Sequence, residues 1–266
     1  MSVERVDAST DLRLAPFRDI GDPELLRRRG QFIAEGRIVV RRAIEDARYR
    51  VRAVLVNDAA LAQLSPWLPS LPTDTPVYVC DTGAFVALTG FHIHRGCLAL
   101  VDRRQPDALE TAIAGAQTIV VLESVANADN VGAVFRNAAA FGCGAVVLSP
   151  ACCDPFYRKA IRTSMGAVFR LPYATATPWP DALGAIRAAG FTIVALTPNQ
   201  PAVPLEVFAR ERPGRVALLA GTEGAGLSRD AEAAADVRVR IPIGDTVDSL
   251  NVATAVAIAL YAVASR

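Results

Sequence analysis

Lysine is almost missing from this chain. Lys159 is the only one among 28 basic residues, so the other 27 are arginines. A guanidinium offers a planar, bidentate fork for phosphate. A net charge of only +1, however, gives no overall basic field that would announce a nucleic acid, and an arginine bias is equally a matter of genomic composition. Long hydrophobic runs are missing too. No apolar stretch approaches the roughly 18 residues of a membrane span, and the first residues lack the apolar core of a secretory signal. The expectation is a soluble, cytoplasmic protein with no membrane partner. The five cysteines (Cys80, Cys97, Cys143, Cys152 and Cys153) never show CxxC spacing. Their odd number argues against a disulfide framework, leaving buried or spare thiols. His92 and His94 lack a Cys/His partner set, so no metal is expected. A Walker loop and a true GxGxxG are also absent, which weakens any reading as an unrelated nucleotide-dependent α/β enzyme.

What remains is 266 residues, 52% of them hydrophobic, enough for one large or two modest cores. From about Asp19 to Arg104 the pattern reads as a small α/β unit. Asp22 can cap a helix opening at Pro23. The apolar spacing of Phe32, Ile33, Val39, Val40 and Ile44 suggests a first helix that includes 32–37. Val51–Val56, Val77–Val79 and Cys97–Val101 read as strands, with a proline-rich loop over Ser65–Pro76. The chain then turns polar and small. The expected layout is an N-terminal domain over 1–105, a linker over 106–117 and a second domain over 118–266.

The second domain alternates. Strands are expected at Thr118–Leu122, Ala145–Ser149, Phe191–Leu196, Val216–Ala220 and Val237–Ile241. Helices are expected near Val131–Phe141, Asp181–Ala189 and Val252–Ala264, with a basic helical stretch over Phe156–Met165. Short apolar strands alternating with helices imply a largely parallel sheet covered on both faces, with ligands bound beyond the carboxyl ends of its strands.

Three segments at such strand ends couple glycines to polar groups. In the first, Asn130 opens a helix, where it can cap or point into a cleft. Gly132 follows two residues later and Arg136 six later. Arg136 borders an apolar stripe, where an arginine needs a partner or must reach solvent. The second, Gly221-Thr-Glu-Gly-Ala-Gly-Leu-Ser228, places Glu223 among glycines that let main-chain groups approach a ligand. The third, Ile241-Pro-Ile-Gly-Asp-Thr-Val-Asp-Ser-Leu-Asn-Val252, sets Ser249 and Asn251 before a long apolar helix. One of them suffices as an N-cap, so the pair exceeds what capping needs.

In this order the three segments resemble the three motifs of the SpoU/TrmH branch of the SPOUT RNA methyltransferases, over roughly Thr118 to Ala264. Asn130, Gly132 and Arg136 match the first motif. Gly221, Glu223, Gly224, Gly226 and Leu227 match the second, and Ile241, Pro242, Ser249, Leu250, Asn251 and Val252 the third. Arg162-Thr-Ser-Met-Gly-Ala-Val-Phe169 is also similar to a family segment. The resemblance implies a trefoil-knotted C-terminal α/β domain, a homodimer and S-adenosylmethionine as methyl donor. The donor would be held by Gly221, Glu223, Gly224, Ile241 and Leu250, with Ile243, Ser249, Leu196 and Thr197 close by. It further implies transfer to a ribose 2′-hydroxyl, with Arg136 at the 2′-oxygen and Asn130, Ser249, Asn251 and Glu223 as supporting catalytic residues. The N-terminal unit looks like the family's substrate-binding domain, related to ribosomal-protein RNA binders. RNA contacts are expected from Arg27, Arg28, Arg29, Arg41, Arg42, Arg158, Lys159 and Arg162. The target is ribosomal or transfer RNA, and the two-domain layout leans toward ribosomal RNA. The alternative is a non-catalytic RNA-binding or ribosome-assembly protein that keeps the fold.

Overall fold

The computed structural model describes residues 2–7, 10–18, 27–89 and 96–264. The Asp22 cap, the helix at Pro23 and both histidines lie outside the described residues. The chain divides into two compact units. One comprises 1–105 together with Phe156–Phe169, and the other 106–155 together with 170–266.

The first unit contains β1 (Ser2–Arg5), α1 (Ala15–Arg18), β2 (Gln31–Glu35), α2 (Arg37–Glu45), β3 (Val51–Val56), α3 (Asp58–Leu64), β4 (Pro76–Val79), α4 (Thr82–Thr89) and β5 (Cys97–Asp102). Its sheet runs β1-β4-β3-β5-β2, parallel on one side and antiparallel where β5 meets β3 and β2. Phe32 and Ile33, expected in a helix, belong to strand β2. Their apolar spacing with Val39 and Val40 mimics a helical stripe, but Gly36 divides a buried strand from the helix that follows.

The second unit begins with α5 (Leu109–Ile113), inside the stretch expected to be a linker. Then follow β6 (Thr118–Glu123), α6 (Ala128–Ala140) and β7 (Ala145–Leu148). The excursion Phe156–Phe169, folded into the first unit, carries α7 (Arg158–Thr163). The chain returns for β8 (Tyr173–Thr175), α8 (Ala182–Ala188), β9 (Thr192–Leu196), β10 (Val203–Pro204), α9 (Leu205–Arg210), β11 (Val216–Gly221), α10 (Arg229–Ala233), β12 (Val237–Arg240) and α11 (Val252–Ala264).

Every pairing in this seven-stranded sheet, ordered β10-β12-β9-β11-β6-β7-β8, is parallel. The central strands explain why. Thr118-Ile-Val-Val-Leu-Glu123 and Val216-Ala-Leu-Leu-Ala-Gly221 are apolar without alternation and almost wholly buried, as strands covered on both faces must be. From β6 the chain steps outward to β7 and β8, whereas β11 lies on the other flank of β6. The loops leaving β6 and β11 therefore emerge where the strand order reverses, the position at which open parallel sheets bind ligands.

Candidate functional site

A cleft with about 760 Å³ of empty space, partly open to solvent, lies at the carboxyl ends of β9, β11 and β12. Leu196, Thr197, Gly221, Glu223, Gly224, Ile241, Ile243, Ser249 and Leu250 all line it, together with Pro198, Ala220, Val239, Val252 and Ala255. The strand ends bring these residues together across long sequence separations. Val237–Val239 of β12 pair with Val194–Leu196 of β9, and β11 runs in register with both β9 and β6.

The loop leaving β11 is unusually tight. Thr222 and Gly226 form an antiparallel bridge, and the Gly226 N–H donates to the Thr222 carbonyl at 3.0 Å. A Cβ on Gly221 would lie 2.3–2.4 Å from the Gly226 carbonyl group and the Leu227 nitrogen, so only glycine fits there. Gly226 itself takes a left-handed φ of 71°.

The polar groups of the three segments meet at the start of α11. The Asn251 side-chain oxygen accepts from the Ala253 and Thr254 N–H groups, capping the helix at 3.0 and 3.2 Å. Its amide donates to Asn130 Oδ1 at 2.9 Å and to Glu223 Oε1 at 2.6 Å. Asn251 thus ties one residue of each of the other two segments to its own. Asn130 is buried, while Asn251, Glu223 and Ser249 are exposed.

Asn130 does not open its helix. Asn127 holds the N-cap, accepting from the Asp129 N–H at 2.9 Å, and Asn130 lies three residues later, within the first turn. The sequence carried that signal, since Asn127 followed by Asp129 is a cap plus an acidic first turn. Arg136 projects from the exposed face of α6. Among the described residues no hydrogen bond or ion pair engages it, so of the two situations open to it, reaching solvent is the one observed. Its neighbour Asn137, unremarked in the sequence, donates to the Ala253 carbonyl at 3.0 Å. Asn130 and Asn137, seven residues apart and so on one face of α6, both bond the beginning of α11. These two bonds fix the rotation of α6, and with it the direction of Arg136.

A further unremarked group is Glu123, buried at the end of β6. It receives three donors, from Trp179 Nε1 and from the Ser228 N–H and Oγ–H, each at 2.7 Å. It hid in the sequence as the last residue of an apolar strand.

Of the basic residues named from the sequence some are held by contacts and others are exposed, and Arg162 is both. Arg158 bonds Glu35, a buried carboxylate, and Arg162 lies 3.7 Å from the same group. Arg42 donates to the Met165 carbonyl at 2.5 Å. Arg41 pairs with Glu45 at 3.5 Å and sits over the Trp67 ring. These contacts lie within the first unit, where they fasten the excursion or the surface of α2. Arg27, Arg28, Arg29, Lys159 and Arg162 are exposed.

The five cysteines are free thiols, and none lines the cleft. Burial pushes the Cys97 thiol up to about 12 and those of Cys80, Cys143 and Cys153 up to about 11. Among the described residues no helix is long and apolar enough to cross a membrane. Among the same residues no group of three or more His, Cys, Asp or Glu side chains could hold a metal.

Fold and cleft together define an α/β protein whose parallel sheet carries a ligand-sized cleft at its strand ends. Comparison with known proteins narrows that class. Residues 117–261 match the sequence model of the SpoU rRNA Methylase family. An uncharacterized tRNA/rRNA methyltransferase of Mycobacterium tuberculosis is 40% identical, over 98% of this chain and 91% of its own length. A 23S rRNA (guanosine(2553)-2′-O)-methyltransferase of Bacillus subtilis is 25% identical, over 97% of this chain and 98% of its own. The crystal structure of an RNA 2′-O ribose methyltransferase superposes with a TM-score of 0.80 at 26% identity, covering 98% of both chains. The chain belongs to the SpoU rRNA methylase family.

Proposed function

We propose that this protein transfers a methyl group from S-adenosylmethionine to a ribose 2′-hydroxyl of RNA, with ribosomal RNA favoured over transfer RNA. The observation that carries the donor assignment is the chemistry of the cleft. Its walls are largely apolar, its polar groups are Thr197, Thr222, Glu223 and Ser249, and among the described residues no Arg, Lys or His lines it. A phosphate-bearing nucleotide such as ATP or NAD would find no cationic partner there. A phosphate-free nucleoside carrying positive charge fits, with Glu223 the only ionisable group among the lining residues.

Bound at this place, S-adenosylmethionine supplies a methyl group on a positively charged sulfur. The chain's own task is to align a poor nucleophile and to assist loss of its proton. Arg136 is the group assigned to the 2′-oxygen. A guanidinium does not give up its proton in proteins, so Arg136 orients the oxygen and stabilises its developing negative charge rather than acting as a base, and the hydroxyl proton passes to solvent as the methyl leaves the sulfur. Asn130 and Asn251 hold the first and third segments together, Glu223 fixes the β11 loop to Asn251, and Ser249 serves as a hydrogen-bonding group at the cleft. Arg27, Arg28, Arg29, Lys159 and Arg162 are the exposed candidates for RNA phosphate. The same proposal includes the C-terminal knot and the homodimer implied by the family resemblance.

The ribosomal preference draws on the Bacillus subtilis relative, which aligns over both units and is named for 23S rRNA. Calorimetric titration with S-adenosylmethionine, ATP and NAD tests the donor assignment. Saturable binding of the first alone is expected. Binding of NAD or ATP in its place would overturn the assignment.

A further inference from the structure

We propose that Glu123 is a positioning residue for the donor cleft, holding both ends of the β11 loop in one fixed geometry. The inference rests on the reading of that cleft as the S-adenosylmethionine site. Glu123 is the residue paired with Gly221 in the parallel register of β6 and β11, so its backbone stands beside the point where the loop departs. Its carboxylate takes the N–H and Oγ–H of Ser228, the residue at which the loop ends. The Ser228 oxygen in turn accepts from the Ala231 N–H at 3.2 Å, capping α10. One side chain thus closes the loop across its base. Trp179, reaching over from the segment after β8, gives the carboxylate its third donor and holds it in place.

Between the two fixed ends lie Thr222, Glu223, Gly224 and Gly226, all of which line the cleft. Glycines leave that loop little stiffness beyond its Thr222–Gly226 bridge, so the way it is held at the base helps to set its shape. Glu123 does not line the cleft, and a carboxylate only accepts hydrogen bonds, as this one does three times. It acts through Ser228 on the loop, and through the loop on Glu223 and its bond to Asn251.

The test is Glu123→Gln, which preserves size but turns an amide donor toward one of the three donors. Kd for S-adenosylmethionine is expected to rise about tenfold or more, with RNA affinity within about twofold of wild type. Backbone amides of 222–227 are expected to exchange with solvent faster than in the wild type, while those of β6 and β11 keep their protection. Trp179→Phe, which removes one donor and keeps a ring, is expected to shift the same two readouts by a smaller factor, and it decides the matter if Glu123→Gln fails to fold. A folded Glu123→Gln protein with wild-type donor affinity and unchanged loop exchange would overturn the proposal. So would an equal loss of donor and RNA affinity, the mark of a general structural role. A wild-type protein that binds no S-adenosylmethionine would instead sink the donor-site reading, and the exchange comparison would still decide whether Glu123 holds the loop.

Discussion

At the scale of single residues, the site rests on a few groups held by bonds that can be removed one at a time. Arg136 is exposed and without a hydrogen-bond or ion-pair partner among the described residues, so its loss breaks no such bond. Arg136→Ala is expected to lower turnover about 10²–10³-fold while leaving S-adenosylmethionine affinity unchanged, as removal of a group acting on developing charge should. Single-turnover rates beside calorimetric Kd values check this, and full activity would remove Arg136 from its role. Gly221→Ala carries the opposite signature. The added methyl would meet the Gly226 carbonyl group and the Leu227 nitrogen, all main-chain atoms that cannot swing aside. Donor affinity is expected to fall about tenfold or more, because the loop must open to relieve the overlap. Most of these residues were legible in the sequence because glycines, amides and one arginine stand out against an apolar background. Glu123 and Asn137 were not, since each looks ordinary until the fold brings Ser228 or Ala253 beside it.

At the scale of elements, the least expected feature is Phe156–Phe169, which leaves the parallel unit and folds with the first. An aromatic cluster explains that attachment. Phe32 lies 4.9 Å from Phe156, 5.4 Å from Phe169 and 5.9 Å from Tyr49, ring centre to ring centre. Glu35 of the same strand receives Arg158 and Arg162. Phe32→Ala is expected to destabilise the first unit by about 3–5 kcal/mol. Chemical denaturation should show that loss, with increased proteolysis within 156–169, and an unchanged midpoint would contradict the packing. Long apolar strands such as β3, β6 and β11 could be bounded from sequence to within a residue, because their apolar runs end where the strands do. Three-residue β8 and the short helix α5 could not, since neither is long enough to show a period. Phe32 and Ile33 misled because a buried strand followed by a helix can imitate one helical stripe.

For the whole molecule, the buried thiols set a limit at alkaline pH. Burial raises Cys97 to about 12 and Cys143 to about 11, against an ordinary value near 9. Below pH ~9 these thiols are protonated in both folded and unfolded chains and cost nothing. Above it the unfolded chain loses protons that the folded chain retains, so stability falls as pH rises from about 9 to about 12. Denaturation midpoints measured across that window should decline, and a Cys97→Ala variant should decline less steeply. Methyl transfer itself is read by a single assay. Purified protein would be given S-adenosylmethionine labelled in the methyl group, together with total ribosomal RNA and, separately, total transfer RNA from cells lacking this gene. Label entering ribosomal RNA and recovered after digestion as a 2′-O-methylnucleoside is the expected result. Label recovered on a base, or none transferred to either RNA by protein that binds the donor, would contradict it.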